Sequence, residues 1–290
     1  MALKRKKSGF PELMAGLITI LLAILLTIGT MLALTRCAGG PTPPPASSPA
    51  PSTTAAPSPT LTANPYGPED FALADGYLTC LADESWLGID VSEHQGVIDW
   101  ETVATTPVRF AMVRMAFRGW GSEGKIQADE YGMTNLIGAR DAGLQVGVYF
   151  FSQAISVEEA IEEAHFLLAL LDGRPLDLPV VFDWETVSSE DARTAKMDKT
   201  TLNACAQAFC REIEEAGYEA MVYFNLDLAR RMLRLIDLQE AGYDFWLALY
   251  REDLRSAYRV RMWQYTDSGT VAGIKGKVDL NLYFPNNKLN

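Results

Sequence analysis

Eight short apolar runs recur between residues 86 and 286, and nothing else in the 290-residue chain restricts its fold as tightly. They are Gly88–Val91, Phe110–Phe117, Val146–Phe151, Pro179–Trp184, Ala220–Phe224, Phe245–Tyr250, Val260–Tyr265 and Val278–Tyr283. Their Val, Tyr, Phe and Trp content is that of β-strands. Helical stretches separate the early ones. Ser156–Leu171 opens on a capping serine, carries Glu158 and Glu159 in its first turn and is followed by Gly173. Thr200–Ala216 is ended by Gly217; residues 129–142 and 226–237 read similarly, and 99–105 allows a short helix. Such alternation predicts a parallel sheet, here closed into a barrel. The last strands break the pattern. Only Arg251–Arg259 separates the sixth from the seventh, and a turn with Gly269, Gly273 and Gly276 separates the seventh from the eighth. Neither leaves room for a packed crossover helix, so a terminal meander is expected. The fold class expected for residues 86–286 is therefore α/β, a TIM-like barrel of five β/α units followed by three strands.

The segments before the barrel differ in kind. Residues 1–12 form a basic tail with Lys4, Arg5, Lys6 and Lys7. No charge occurs from Leu13 to Thr35, a stretch of 23 residues, enough for a helix to cross a hydrocarbon core of ~30 Å. Residues 13–35 are therefore expected to span the lipid bilayer once, with the N-terminus cytoplasmic and the remainder extracellular. A cleaved signal peptide would have a shorter apolar region, and Arg36 beside Cys37 suits a lipoprotein cleavage site poorly. Residues 36–67, of which 38–67 are almost all Pro, Ala, Ser, Thr and Gly, are expected to be a disordered spacer, Pro41 to Gly67 reaching ~80 Å. Residues 68–85 form a short lead-in to which no structure is assigned.

Charge and side-chain chemistry exclude several functions. Residues 1–36 carry net +4, which leaves −16 for the remainder of a chain of formal charge −12. So acidic an outer part is unsuited to nucleic acid but compatible with a neutral glycan. Cys37, Cys80, Cys205 and Cys210 match no zinc spacing, and His94 and His165 stand too far apart to form a His-x-x-x-His pair. Cys205 and Cys210 are expected to be small buried side chains, His165 a structural one; the state of Cys80 is open. Gly119–Gly124 matches the G-x-G-x-x-G string but lacks the acidic residue that nucleotide binding needs. No G-x-S-x-G elbow occurs. No metal or cofactor is expected.

Functional residues of parallel barrels gather at the C-terminal ends of strands. Those ends supply Asp90 on the first strand, Asp183 and Glu185 on the fourth and Asp279 on the eighth. Residues i and i+2 of a strand share a face, so Asp183 and Glu185 project the same way. Like charges at close range raise one pKa, which can hold one acid protonated near neutral pH. Glycoside hydrolysis needs that arrangement: an acid for the leaving oxygen and a carboxylate for the oxocarbenium-like centre. Tyr149, Phe151, Tyr223, Trp246 and Trp263 lie late in their strands and are candidate platforms for sugar rings.

Longer motifs carry a resemblance. Gly88-Ile-Asp-Val-Ser-Glu-His-Gln-Gly96 with Ile98-Asp-Trp100, Ala142–Ser152, Val181-Phe-Asp-Trp-Glu185, Trp263-Gln-Tyr-Thr266 and Val278-Asp-Leu-Asn281 resemble glycoside hydrolase family 25, the Chalaropsis-type lysozymes. The resemblance spans about residues 86–284 with the motifs in the family's order. It implies the same five-plus-three barrel and N-acetylmuramidase activity on the β-1,4 bonds of peptidoglycan. It also implies Glu185 as proton donor, Asp183 as partner carboxylate, Asp90 and Asp279 as further acids of the cleft, and Tyr223 as a substrate-side tyrosine. Whether Asp183 attacks or steers the substrate's acetamido group stays open. Phe150, where the family often has tyrosine, and Gly132, where it often has an aromatic, depart from the pattern in cleft lining or packing. The expected protein is a membrane-anchored peptidoglycan hydrolase with a monomeric catalytic domain. The alternatives are a catalytically weak, wall-tethered glycan-binding module and a structural membrane protein whose outer domain binds another protein.

Overall fold

Parallel strands carry side chains into both faces of a sheet, so a barrel of them needs an apolar interior and an apolar outer surface for its helices. The computed structural model describes residues 60–289 and shows both. In chain order the strands are β1 (Phe71–Ala74), β2 (Tyr77–Cys80), β3 (Trp86–Val91), β4 (Phe110–Arg118), β5 (Ile126–Ala128), β6 (Gln145–Ser152), β7 (Val180–Trp184), β8 (Ala220–Asn225), β9 (Asp244–Ala248), β10 (Met262–Gly269) and β11 (Val278–Tyr283). The helices are α1 (Trp100–Val103), α2 (Gly132–Asp141), α3 (Val157–Leu171), α4 (Lys199–Glu215), α5 (Leu226–Arg231) and α6 (Leu235–Glu240). β3, β4, β6, β7, β8, β9 and β10 run parallel in that order, and β11 closes the ring by pairing antiparallel with both β10 and β3. The eight expected strands thus form one closed barrel of five β/α units and three strands.

The closing strands differ from the expected meander in one pairing. β10 lies parallel to β9, Met262 opposite Trp246 and Gln264 opposite Ala248. The connection through residues 249–261 is long enough to return the chain to the same end of the barrel without a helix. Only β11 is antiparallel within the ring.

Local chemistry sets most boundaries. Ser156 caps α3 by accepting from the Glu159 N–H at 3.3 Å, and Asp172 and Gly173 end it at φ 49° and 71°. Asp198 caps α4, accepting from the Thr200 and Thr201 N–H groups. The helix expected over 226–237 is broken into α5 and α6. The cause is Asn203 of α4, which donates to the Met232 carbonyl at 2.9 Å and accepts from the Arg234 N–H at 2.7 Å. Inside the barrel Gly88 leaves room for the Phe110 ring, because a Cβ there would lie 2.2 Å from it.

Two segments before the barrel have structure that their composition conceals. β1 and β2 form a hairpin turned by Asp75 and Gly76, both at positive φ. Residues 60–67, expected to be spacer, lie along the barrel: the Arg259 N–H donates to the Thr62 carbonyl at 2.8 Å, Asn64 donates to the Leu254 carbonyl at 2.9 Å, and Tyr66 stacks on Phe284. The expected basic tail, bilayer-spanning segment 13–35 and remaining spacer lie outside the described residues. Among the described residues no helix is long and apolar enough to cross a membrane.

Candidate active site

The C-terminal ends of the parallel strands surround a cleft of about 450 Å³ lined by Asp90, Asp183, Glu185 and Asp279, all four of the expected acids. Each arrives from a strand that ends at this mouth: Asp90 on β3, Asp183 on β7 with Glu185 two residues on, and Asp279 at the start of antiparallel β11. Asp279 and Asp90 are direct partners in the ladder.

A polar floor joins these groups. Asp90 Oδ2 accepts from Asn281 Nδ2 at 2.8 Å and from Gln264 Nε2 at 2.9 Å. The same Gln264 nitrogen lies 3.4 Å from Asp279 Oδ2. Gln264 Oε1 accepts from the Tyr223 and Tyr250 hydroxyls, each at 3.2 Å, and Asn281 Oδ1 accepts from Trp246 Nε1 at 2.9 Å. The floor is thus a satisfied network in a low-dielectric setting, which fixes its geometry.

Burial raises all four carboxyl pKa values. Asp279 is pushed up to about 9 by burial and then by the charge of Asp90. Burial lifts Asp90 as well, against the pull of its bonds to Asn281 and Gln264. Glu185 is pushed to about 7 by burial and by Asp90. Asp183 is raised by burial and by Glu185 and Asp90, while the Arg114 guanidinium pulls the other way. Asp183 Oδ1 is buried with no hydrogen-bond partner. An unpaired buried carboxyl oxygen facing a cleft is costly unless something that enters the cleft uses it.

Glu185 is held from behind. Its carbonyl accepts from the fully buried Gln153 side chain at 2.8 Å, and Gln153 accepts from the Thr194 hydroxyl at 3.1 Å. Arg114 is clamped by Asp129 at 2.8 Å and Glu93 at 3.2 Å and brings a fixed positive charge to the cleft wall.

Four of the five expected aromatics reach the cleft: Tyr149, Phe151, Tyr223 and Trp246. Trp246 is only 1% exposed and supports the floor, stacked edge-on with Tyr223 and Tyr149. Trp263 corrects the expectation. It lies fully buried on the outer face of β10, edge-on to Phe71 of the hairpin, and donates to the Leu249 carbonyl at 2.7 Å. Strand parity gives the inner position to its neighbour Gln264. Phe150 likewise faces outward against Phe209, and a Cβ on Gly132 would lie 2.7 Å from the Arg114 carbonyl. Both departures from the family pattern are therefore matters of packing.

Residue-by-residue reading missed Gln264, Asn281, Arg114, Tyr250 and Gln153. Asn281 was accessible through its i+2 relation to Asp279; the others depend on contacts between distant strands. Elsewhere, Cys80, Cys205 and Cys210 are buried free thiols. His165 pairs with Glu212 across α3 and α4 at 2.8 Å. Gly119–Gly124 turns the β4–β5 hairpin and leads into no helix, so the dinucleotide context is missing. Among the described residues no group of three or more His, Cys, Asp and Glu side chains is disposed to hold a metal ion.

A family model described as glycosyl hydrolases family 25 matches residues 89–274. The chain is 29% identical to the uncharacterized protein YegX of Escherichia coli K12 over 68% of each chain. It is 25% identical to the autolytic lysozyme of Clostridium acetobutylicum, over 67% of this chain and 54% of that one. Among solved structures it resembles the modular autolysin LytC of Streptococcus pneumoniae in complex with a synthetic peptidoglycan ligand. That match has 25% identity and a TM-score of 0.61, and covers 74% of this chain and 52% of the other. The chain thus spans about half the length of the last two proteins.

Proposed function

The chain belongs to glycosyl hydrolase family 25, and we propose that it is a muramidase, cleaving the β-1,4 bond between N-acetylmuramic acid and N-acetylglucosamine in peptidoglycan. The observation that carries this reading is the pair Asp183 and Glu185 at the end of β7, both raised by burial in a cleft whose wall carries the Arg114 guanidinium. The lysozyme and autolysin names of its relatives support the same substrate.

In this reading Glu185 is the acid. Its pKa near 7 keeps it protonated in mildly acidic medium, where it passes its proton to the leaving glycosidic oxygen. Asp183 faces the developing positive charge at the anomeric carbon; burial, Glu185 and Asp90 raise its pKa, and it is the developing charge together with the Arg114 guanidinium that favours its ionised form. It acts there by direct attack or by orienting the substrate's acetamido group. Asp90 and Asp279 hold the floor and share a proton, so their combined charge does not drive Glu185 wholly into its neutral form. Phe151 and the edges of Tyr149 and Tyr223 offer the apolar contact that sugar rings take.

We further propose that residues 13–35, uncharged and preceded by four basic residues, anchor the chain in the cell membrane with the barrel outside. The catalytic domain acts as a monomer.

Digestion of purified peptidoglycan, with the products reduced and read by mass spectrometry, tests the activity. Fragments ending in reduced muramic acid, absent with Glu185→Gln, are expected. Intact glycan after treatment with the folded wild-type chain would overturn the enzyme reading and promote a tethered glycan-binding module.

A further inference from the structure

Beside the cleft lies a second groove, of about 600 Å³. The turn of the β1–β2 hairpin forms one wall; the far half of β10 and residues 250–252 form the other. Tyr250 belongs to both cavities. Its hydroxyl bonds Gln264, whose amide touches Asp90, so the groove begins one side chain away from the acids. The hairpin precedes the family match at residues 89–274. It is nonetheless fastened to the barrel: the Tyr77 hydroxyl donates to the Thr270 carbonyl at 3.3 Å, and the Leu78 N–H to the Tyr265 hydroxyl at 3.4 Å.

Two features say what the groove is built to take. The first is backbone. β10 pairs with β9 only from Met262 to Gln264 yet continues along β11 to Gly269, its register shifting after Gln264 and again after Thr266. Beyond the bond from the Arg251 N–H to the Tyr265 carbonyl, no strand among the described residues pairs with that side of β10. The Ser268 N–H is taken by the Thr266 hydroxyl at 3.2 Å, but the rest of the Thr266–Gly269 edge has no strand partner among the described residues, and such an edge in a groove is suited to hydrogen-bond an extended peptide. The second feature is charge. The groove is lined by the acids Asp75, Glu252 and Asp267 and the bases Arg251 and Lys277. Both signs together match a short zwitterionic peptide better than a neutral sugar.

Peptidoglycan carries such a group, the peptide attached through the lactyl ether of muramic acid, the sugar whose bond is cut in the proposed reaction. We propose that the groove between the hairpin and β10 is a subsite for this peptide stem. The inference rests on the muramidase reading, and it makes the chain selective for glycan that still bears stems.

The test compares two substrates with the full-length chain: peptidoglycan with intact stems, and the same glycan after an amidase has removed them. Glu252→Lys and Arg251→Glu reverse exposed charges on the groove and touch none of the four acids. Each is expected to raise KM on the stem-bearing substrate by about five-fold, the worth of one exposed ion pair, with KM on stripped glycan unchanged. Free lactyl-peptide should compete with the stem-bearing substrate for the wild-type chain and compete more weakly in both variants. Equal KM changes on the two substrates, or none on either, would overturn the peptide subsite and leave the muramidase intact. Failure of the wild-type chain to cut either substrate would overturn both.

Discussion

Asp279 stands directly opposite Asp90 across the antiparallel pairing of β11 and β3, and a single amide, Gln264 Nε2, lies 2.9 Å from one and 3.4 Å from the other. Two carboxylates so placed in a buried site cannot both ionise at neutral pH. Burial raises both; the two amide hydrogens that Asp90 accepts favour its charge, and Asp279, raised to about 9, is the member that favours the proton.

The two acids should therefore respond differently to the same substitution. Asp279→Asn replaces a neutral carboxyl with a neutral amide and is expected to lower kcat by less than about ten-fold, one hydrogen bond's worth. Asp90→Asn can keep both bonds through its oxygen but weakens them by removing the charge, and is expected to cost about 1–3 kcal/mol of stability, with a larger loss of kcat. Steady-state kinetics and urea midpoints of the two variants check this. Equal effects would refute the shared-proton assignment.

Glu185→Gln is expected to reduce kcat by about 10²–10⁴-fold, the usual worth of a general acid. In the wild type the rate should fall as pH rises through about 7, where Glu185 loses its proton. A rate that holds constant from mildly acidic to alkaline buffer would count against Glu185 as the acid.

Stability should follow the same groups. A carboxyl whose folded-state pKa exceeds its unfolded value contributes full stability below the unfolded pKa and loses it as pH rises through the folded pKa. Glu185, raised to about 7, and Asp279, raised to about 9, place that loss between mildly acidic and alkaline pH. Thermal melts should therefore fall from pH 5 to pH 9. Glu185→Gln, having no carboxyl to ionise, should melt higher than wild type at pH 8 and show a flatter profile.

Trp263 separates fold from site. Trp263→Ala empties a fully buried space between β10 and the hairpin and is expected to cost about 3–5 kcal/mol. KM for stem-free glycan should not change for the fraction that remains folded. A raised KM with an unaltered melting temperature would return Trp263 to the cleft.

The alternation of apolar runs with capped helical stretches is local chemistry, and it suffices to number the eight strands of the ring and place five helical stretches between the early ones, though not the three short strands β1, β2 and β5 or the break between α5 and α6. The four acids were legible for the same reason: each lies at or next to the end of a largely apolar run. The Asp75-Gly76 pair, a readable hairpin signal, was also present in the lead-in to the barrel.

Other features depend on pairing between residues far apart in the chain. Whether Trp263 or Gln264 faces inward is a matter of register against β9 and β11, and no local pattern distinguishes two adjacent buried positions. The parallel alignment of β10 with β9 is likewise set by closure of the ring. The raised pKa values of Asp90, Asp183, Glu185 and Asp279 are sums over burial and charges delivered by separate strands. The sequence by itself determined which residue types stand at the strand ends. Tertiary structure alone decided which of them share a proton, which lie in the cleft and what the hairpin stands beside, because each is a distance between elements that local propensity does not specify.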